Sequence, residues 1–301
     1  MVTETRVAVI GLGSMGYGVA ANCLKAGLET WGADVNAAQI ERFAGEGGKA
    51  VTGPGDYAEA DVVVTVVVNA AQTEAVLFGE GGAVAQMKQG AVVVSCATVA
   101  PDFARAMAAR CAEAGVLYLD APISGGQVKA ASGELSVMAS GAPEAFAKAR
   151  PVLDAMAAKV FELGDEAGPG SAMKAINQLL VGVHLAAMGE AMTFGMTQGV
   201  TPEQFVKVIP ECAGTSWVLE NRAPHVVSGD YTPLSAVDIW LKDLGIVSDI
   251  ARSAKFSAPL TAAALQQWVA ASGMGMGRED DAAIAKLYAT HAGLTLPGGD
   301  T

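Results

Sequence analysis

The chain has 301 residues, of which 51% are hydrophobic and 17% charged, and its formal net charge is −12. That length exceeds one compact core and favours two domains, and the composition excludes a disordered polymer. The acidic balance argues against nucleic acid and anionic lipid as partners, so an anionic ligand has to be captured locally.

The first residues, Met-Val-Thr-Glu-Thr-Arg, enter an apolar run at once, which reads as the start of a strand and not as a secretory leader. Residues 6–10 are β-branched and apolar, and the segment after Gly16 has helical apolar spacing closed by Gly27. Further strands are expected at residues 29–34, 61–68, 91–95, 117–120, 134–140 and 159–163, with a polar helix from Ala37. Residues 1 to about 165 therefore read as one doubly wound α/β domain. Beyond it the β-branched runs stop, and long helices are expected at 171–198, from Thr201-Pro202, and at 235–253, 259–272 and 280–291. Residues 296–301 read as a frayed tail. The most apolar stretches, such as residues 60–68, look too short or interrupted for a bilayer, which needs about 20 apolar residues. Cys23, Cys96, Cys111 and Cys212 follow no metal or redox spacing and read as buried reduced thiols of a cytoplasmic protein. With only His184, His225 and His291 and no clustered acids in a ligand pattern, no metal is expected.

Gly11-Leu12-Gly13-Ser14-Met15-Gly16 stands between a strand and a helix. Glycines at that spacing let a pyrophosphate approach the backbone and aim helix N-terminal amides at it. A glycine-rich turn of another α/β protein, or a methyl-donor site, has the same pattern. Asp34 ends the second strand, where a carboxylate accepts from ribose hydroxyls and repels a ribose phosphate. Val35-Asn36-Ala37-Ala38 offers no arginine to a phosphate, so the pair favours NAD over NADP.

Asp120-Ala-Pro-Ile-Ser124-Gly125-Gly126 follows a strand and offers a hydroxyl and two amides to a carboxylate, or is merely a turn. Lys174, Asn177 and Gln178 share one face of the long helix by their spacing, although a helical lysine is most often a solvated charge. His184 falls off that face and suits packing. Trp217, Asn221, Arg222 and His225 fit either a cleft rim or the core.

The glycine turn, the Asp120–Gly126 segment, Gly170-x-x-x-Lys174 and Asp238-Ile-Trp-Leu-Lys242-Asp243 occur in the order found in the β-hydroxyacid dehydrogenases. The chain resembles this family, which includes 3-hydroxyisobutyrate dehydrogenase and tartronate semialdehyde reductase, over nearly its whole length. The resemblance implies a Rossmann-type NAD domain at 1–165 and an all-α substrate and oligomerisation domain at 166–301. A long interdomain helix would join them, the site would lie in a cleft between them, and the enzyme would be a homodimer or homotetramer.

It makes Lys174 the catalytic lysine and Ser124, Gly125 and Gly126 the carboxylate site. Val67, Val68, Asn69, Thr98 and Lys242 become cofactor contacts. One departure concerns substrate: many relatives carry asparagine four residues after the lysine, where this chain has Gln178, with Asn177 one place earlier. Either carboxamide would orient the reacting hydroxyl. Residues 177–184, 217–225, 229–238 and 277–281 look most like family members that oxidise a four-carbon sugar acid at its 2-hydroxyl. Enzymes of the tartronate semialdehyde or 3-hydroxyisobutyrate type are the close alternatives, and a non-catalytic dinucleotide-binding regulator is the alternative of another class.

Overall fold

The structure, a computed structural model, describes residues 5–53 and 55–297. Residues 1–4, where the leader-free start was read, and 298–301, most of the expected tail, lie outside the described residues. The chain forms two compact units, Met1–Lys174 and Ala175–Thr301.

In the first unit, β1 (Arg6–Ile10), β2 (Glu29–Ala33), β3 (Lys49–Ala50), β4 (Val62–Thr65), β5 (Val92–Ser95) and β6 (Leu117–Asp120) form one sheet. Its order is β3-β2-β1-β4-β5-β6 and every pair is parallel. The helices α1 (Gly16–Lys25), α2 (Ala37–Gly45), α3 (Gly55–Glu59), α4 (Ala70–Phe78) and α5 (Pro101–Glu113) alternate with these strands. Val7, Val9, Val62, Val64, Val92 and Val94 enter the core on one face, while Ala8, Val63 and Val93 enter it on the other. Both faces are covered, so the central strands β1, β4 and β5 are continuous apolar runs over most of their length and do not alternate.

Three strand expectations need correction. The run read as a strand over 61–68 leaves the sheet after Thr65, because the Val66 carbonyl is packed against Gly11 where the glycine turn begins. The strands read at 134–140 and 159–163 are β8 (Leu135–Ala139) and β9 (Ala157–Glu162), and they do not extend the main sheet. With β7 (Ile123–Ser124) they form a second sheet, β7-β8-β9, flanked by α6 (Gly126–Ser132) and α7 (Pro143–Met156). Only Ala121 and Pro122 separate β6 from β7, far too few residues for the crossover that another parallel neighbour would need.

The long helix α8 (Pro169–Thr197) carries the chain from the first unit into the second. Its 29 residues, with a best-window mean hydropathy of 1.4, meet the length and apolarity of a bilayer span. This corrects the expectation that the most apolar stretches are too short or interrupted; the apolarity of α8 comes from Ala, Leu, Met and Val. In the second unit follow α9 (Pro202–Val208), α10 (Trp217–Ser228), α11 (Val237–Ser253), α12 (Pro259–Gly273) and α13 (Ile284–Ala292). Trp240 and Trp268 stack at 5.5 Å, and Trp268 Nε1 donates to the Gly182 carbonyl at 3.1 Å. The helix expected from Asp280 begins as a 3-10 turn, Asp281–Ala283, and Leu296, read as part of a frayed tail, is buried in this core.

Cys23, Cys96 and Cys111 are buried, and burial pushes each thiol up to about 12. Cys212 is exposed, contrary to the reading of all four as buried.

Candidate active site

The glycine turn leaves the C-terminal end of β1, Val66–Asn69 that of β4, Thr98 that of β5 and the Ser124 loop that of β6. All therefore gather along one edge of the parallel sheet, and the order reverses direction between β1 and β4. That is where an open α/β sheet has its crevice.

The backbone at the turn leaves no room for a side chain at Gly11 or Gly16. A Cβ on Gly16 would fall 1.8 Å from the Gly11 carbonyl oxygen, and one on Gly11, at φ +95°, would fall 2.5 Å from that of Val66. A Cβ on Gly13, by contrast, would meet nothing within 4 Å, so this glycine faces open space. Met15 caps α1 without a side-chain hydrogen bond, leaving the first-turn amides of α1 without a side-chain acceptor at that position. Exposed backbone at Gly13 and Ser14, beside a helix start of this kind, fits a pyrophosphate.

Asp34 adds a contact that the sequence did not disclose. Its Oδ2 accepts from Leu12 N at 2.6 Å and its Oδ1 from Asn36 N at 2.8 Å, so the acid at the end of β2 also holds the glycine turn. Each oxygen keeps a lone pair for a further donor such as a ribose hydroxyl. On the β4 side, Asn69 caps α4 by accepting from Gln72 N at 2.9 Å, while Gln72 Oε1 accepts from Val68 N at 2.9 Å. This reciprocal pair fixes the Val67-Val68-Asn69 loop, with Val68 exposed. Thr98 is half-buried.

Ser124 and Gly125 are half-buried and Gly126 is exposed at the start of α6, with φ +131° at Gly125 and +67° at Gly126. The main acid of this segment is Asp120, which the sequence reading quoted but gave no role. It is 1% exposed and accepts from Gly168 N at 3.0 Å, Ser171 N at 2.7 Å and Ser171 Oγ at 2.6 Å. Burial pushes its carboxyl above the usual carboxylate range, against the pull of the Ser171 and Gly168 donors. Asp120 thereby ties the end of β6 to the start of α8, three residues before Lys174. A strand-ending acid together with a serine in the first turn of a helix was the available signal, but only the fold brings them together.

Lys174 is 8% exposed, which sets it apart from an ordinary solvated helical lysine. On the same helix, Asn177 Nδ2 donates to Gln178 Oε1 at 2.9 Å, and Gln178 Nε2 donates to Asp243 Oδ2. Lys242 Nζ lies 2.5 Å from Asp243 Oδ1. Asn177 and Gln178, picked out together in the sequence, and Lys242 are thus joined through Asp243, which the sequence motif included without a role.

Arg222 and His225 are turned to other work. Arg222 Nε donates to Asp281 at 2.7 Å, His225 Nδ1 lies 3.0 Å from Asp280, and Trp240 Nε1 donates to Asp281 at 3.2 Å. Asp280 and Asp281 are buried, and burial pushes Asp281 up while the Arg222 guanidinium pulls it down. This cluster holds α10 to the start of α13 and favours the core reading for Arg222. Trp217 is exposed.

Residues 6–164 match the family model for the NAD binding domain of 6-phosphogluconate dehydrogenase. Residues 168–288 match that described as NAD-binding of NADP-dependent 3-hydroxyisobutyrate dehydrogenase. The chain is 52% identical over 293 residues to the L-threonate dehydrogenase of Cupriavidus necator, covering 97% of this chain and 98% of the relative. It is 46% identical over 298 residues to the L-threonate dehydrogenase of Escherichia coli K12, covering 98% of each. A solved structure of a 3-hydroxyisobutyrate dehydrogenase from Salmonella typhimurium is similar with a TM-score of 0.89 at 46% identity, covering 94% of this chain and 100% of that one.

Proposed function

The chain belongs to the 3-hydroxyisobutyrate dehydrogenase-like family of oxidoreductases, which use a nicotinamide dinucleotide on CH–OH groups, and from that premise we propose that it oxidises the 2-hydroxyl of L-threonate with NAD. The observation that carries the substrate is the 52% identity, along almost the entire length, to an L-threonate dehydrogenase. The choice of NAD rests on Asp34, whose carboxylate stands at the end of β2 with no cation in the next four residues.

In this reading residues 1–165 serve mainly the cofactor and 166–301 mainly the substrate and subunit association. Gly11 to Gly16 receive the pyrophosphate, while Val67, Val68, Asn69, Thr98 and Lys242 contact the rest of the cofactor. When bound, the oxidised nicotinamide supplies the hydride acceptor. Ser124 and the amides of Gly125 and Gly126 orient the substrate carboxylate. Asn177 and Gln178 orient its hydroxyls. Lys174 takes the hydroxyl proton as the hydride leaves, and in reduction its ammonium returns that proton. Burial of Lys174 supports this role, since a proton carrier must be shielded from bulk water at the reacting carbon. The reading also places the enzyme in a reducing cytoplasm, in keeping with the free thiols of Cys23, Cys96 and Cys111.

A panel of hydroxyacids assayed for NADH formation tests the substrate, with L-threonate as the expected best. Turnover of 3-hydroxyisobutyrate or reduction of tartronate semialdehyde without turnover of L-threonate would overturn it, and a tenfold preference for NADP would overturn the cofactor assignment. Lys174→Ala should lower kcat by about 10²–10⁴ while NAD still binds. Near-normal turnover in that variant would remove Lys174 from the mechanism.

A further inference from the structure

A carboxamide can present either a donor or an acceptor, and the surroundings of Asn177 and Gln178 remove that freedom. Asp243, on α11, is 2% exposed. A carboxylate accepts and does not donate, so Gln178 must turn its Nε2 to Asp243. Its Oε1 is then the end that meets Asn177, which has to supply Nδ2, at 2.9 Å. Asn177 Oδ1 is consequently the end turned away from Gln178. Lys242 balances the buried charge at 2.5 Å. One acid, with two carboxamides in series, fixes a hydrogen-bond direction along the face of α8 that also carries Lys174. The extra methylene of Gln178, relative to the asparagine of many relatives, lengthens the reach toward Asp243.

We propose that Asp243 is a positioning and specificity-determining residue: by fixing the polarity of Gln178 and Asn177 it makes Asn177 present an acceptor, Oδ1, to a substrate hydroxyl. The inference rests on the hydroxyacid reading above and deepens it. The selected substrates are acids with a further hydroxyl beside the reacting one, because a hydroxyl donates to Oδ1 whereas a second carboxylate would be repelled by it. With the opposite polarity Asn177 would offer its NH2 group and the preference would reverse.

Asp243→Asn frees the direction, since a carboxamide at that position donates as readily as it accepts. The double variant Asp243→Asn with Gln178→Glu moves the acceptor-only group one place along the series. Both neighbours then donate to it, and Asn177 again presents Oδ1. The measurement is KM and kcat of the full-length enzyme for L-threonate and for 2-hydroxybutyrate, which lacks the further hydroxyls. Asp243→Asn should raise KM for L-threonate about tenfold more than KM for 2-hydroxybutyrate, as for one lost hydrogen bond, and the double variant should restore the ratio. An unchanged ratio in the single variant, or a double variant no better than the single, overturns the proposal.

A second readout needs no turnover: the side-chain amide resonances of Asn177 and Gln178 should shift together in Asp243→Asn, and that of Asn177 should return in the double variant, where Gln178→Glu leaves no amide at its own position. Wild-type protein inert toward L-threonate would sink the proposed substrate, whereas unmoved amide resonances would sink the relay. Should Asp243→Asn fail to fold, Gln178→Met interrupts the same series and carries the same kinetic expectation.

Discussion

Gly11, Gly13 and Gly16 stand at one turn for different reasons, and the difference is measurable. At Gly16 a methyl group would lie 1.8 Å from a carbonyl oxygen of the same turn, so Gly16→Ala has to open the backbone. At Gly13 it would meet no protein atom within 4 Å. Gly16→Ala should therefore lower the melting temperature of the free protein and also weaken dinucleotide binding. Gly13→Ala should leave the free protein's melting temperature within about 1 °C and weaken binding alone, since the space it enters is the one assigned to the pyrophosphate. Thermal melts with and without NADH separate the two, and equal destabilisation of both apo variants would contradict the assignment of Gly13 to the ligand.

Among the elements, β4 is preceded by an acid with several partners. Asp61 accepts from Arg6 N at 3.0 Å, and its carboxylate lies 2.7 Å from Lys88 and 3.6 Å from Lys148. Burial raises its pKa, but Lys88 and the Arg6 amide outweigh this and hold the carboxyl below the usual range. A depressed acid stabilises the fold fully above its ordinary value, about 3.9, and that stability disappears as pH falls through the lower folded value. Asp61→Asn should therefore be less stable than wild type near neutrality and lose less on acidification, so that the two stabilities converge as pH falls through the lowered folded value of Asp61. Parallel loss in both proteins would show that Asp61 is not a source of acid sensitivity.

The elements also mark what could be read from residues alone. Buried strands such as β1 and β5, and the proline-free stretch of α8, declare themselves because local composition and tertiary role agree. The second sheet did not, since its separation from the first depends on the two-residue link after Asp120. No helix was expected at 217–228, where α10 carries Pro224 in its interior. In the candidate site, residues recognised by motif were found singly. Their connectors, Asp120 at the start of α8 and Asp243 beside Gln178, are acids whose partners lie about fifty or more residues away along the chain. No local pattern encodes a pairing at that distance.

At the scale of the whole molecule, α8 leaves apolar side chains uncovered at Met173, Ile176, Leu180 and Phe194. Their spacing of three, four and fourteen residues keeps to one stripe of the helix, the kind that packs against another helix. Together with the family resemblance, the stripe supports self-association through α8, with a second copy of the chain as the partner. Phe194→Glu should shift the sedimentation coefficient of the enzyme toward that of a single chain. An unchanged oligomer would exclude this part of the stripe, and a wild type that sediments as a monomer would exclude association altogether.

The division between the two units falls between Lys174 and Ala175, inside an unbroken helix. Borders of this kind lack the exposed loop at which proteases cut and at which gene fragments are usually joined. Limited digestion should not release two clean halves at that border. Exchange of the second unit with that of a relative would also separate Lys174 from Asn177 and Gln178, handing the residue proposed to carry the proton to one parent and the carboxamides proposed to orient the hydroxyl to the other. Chimaeras meant to alter substrate choice have to carry α8 whole, together with Asp120 at its start and Asp243 beside Gln178.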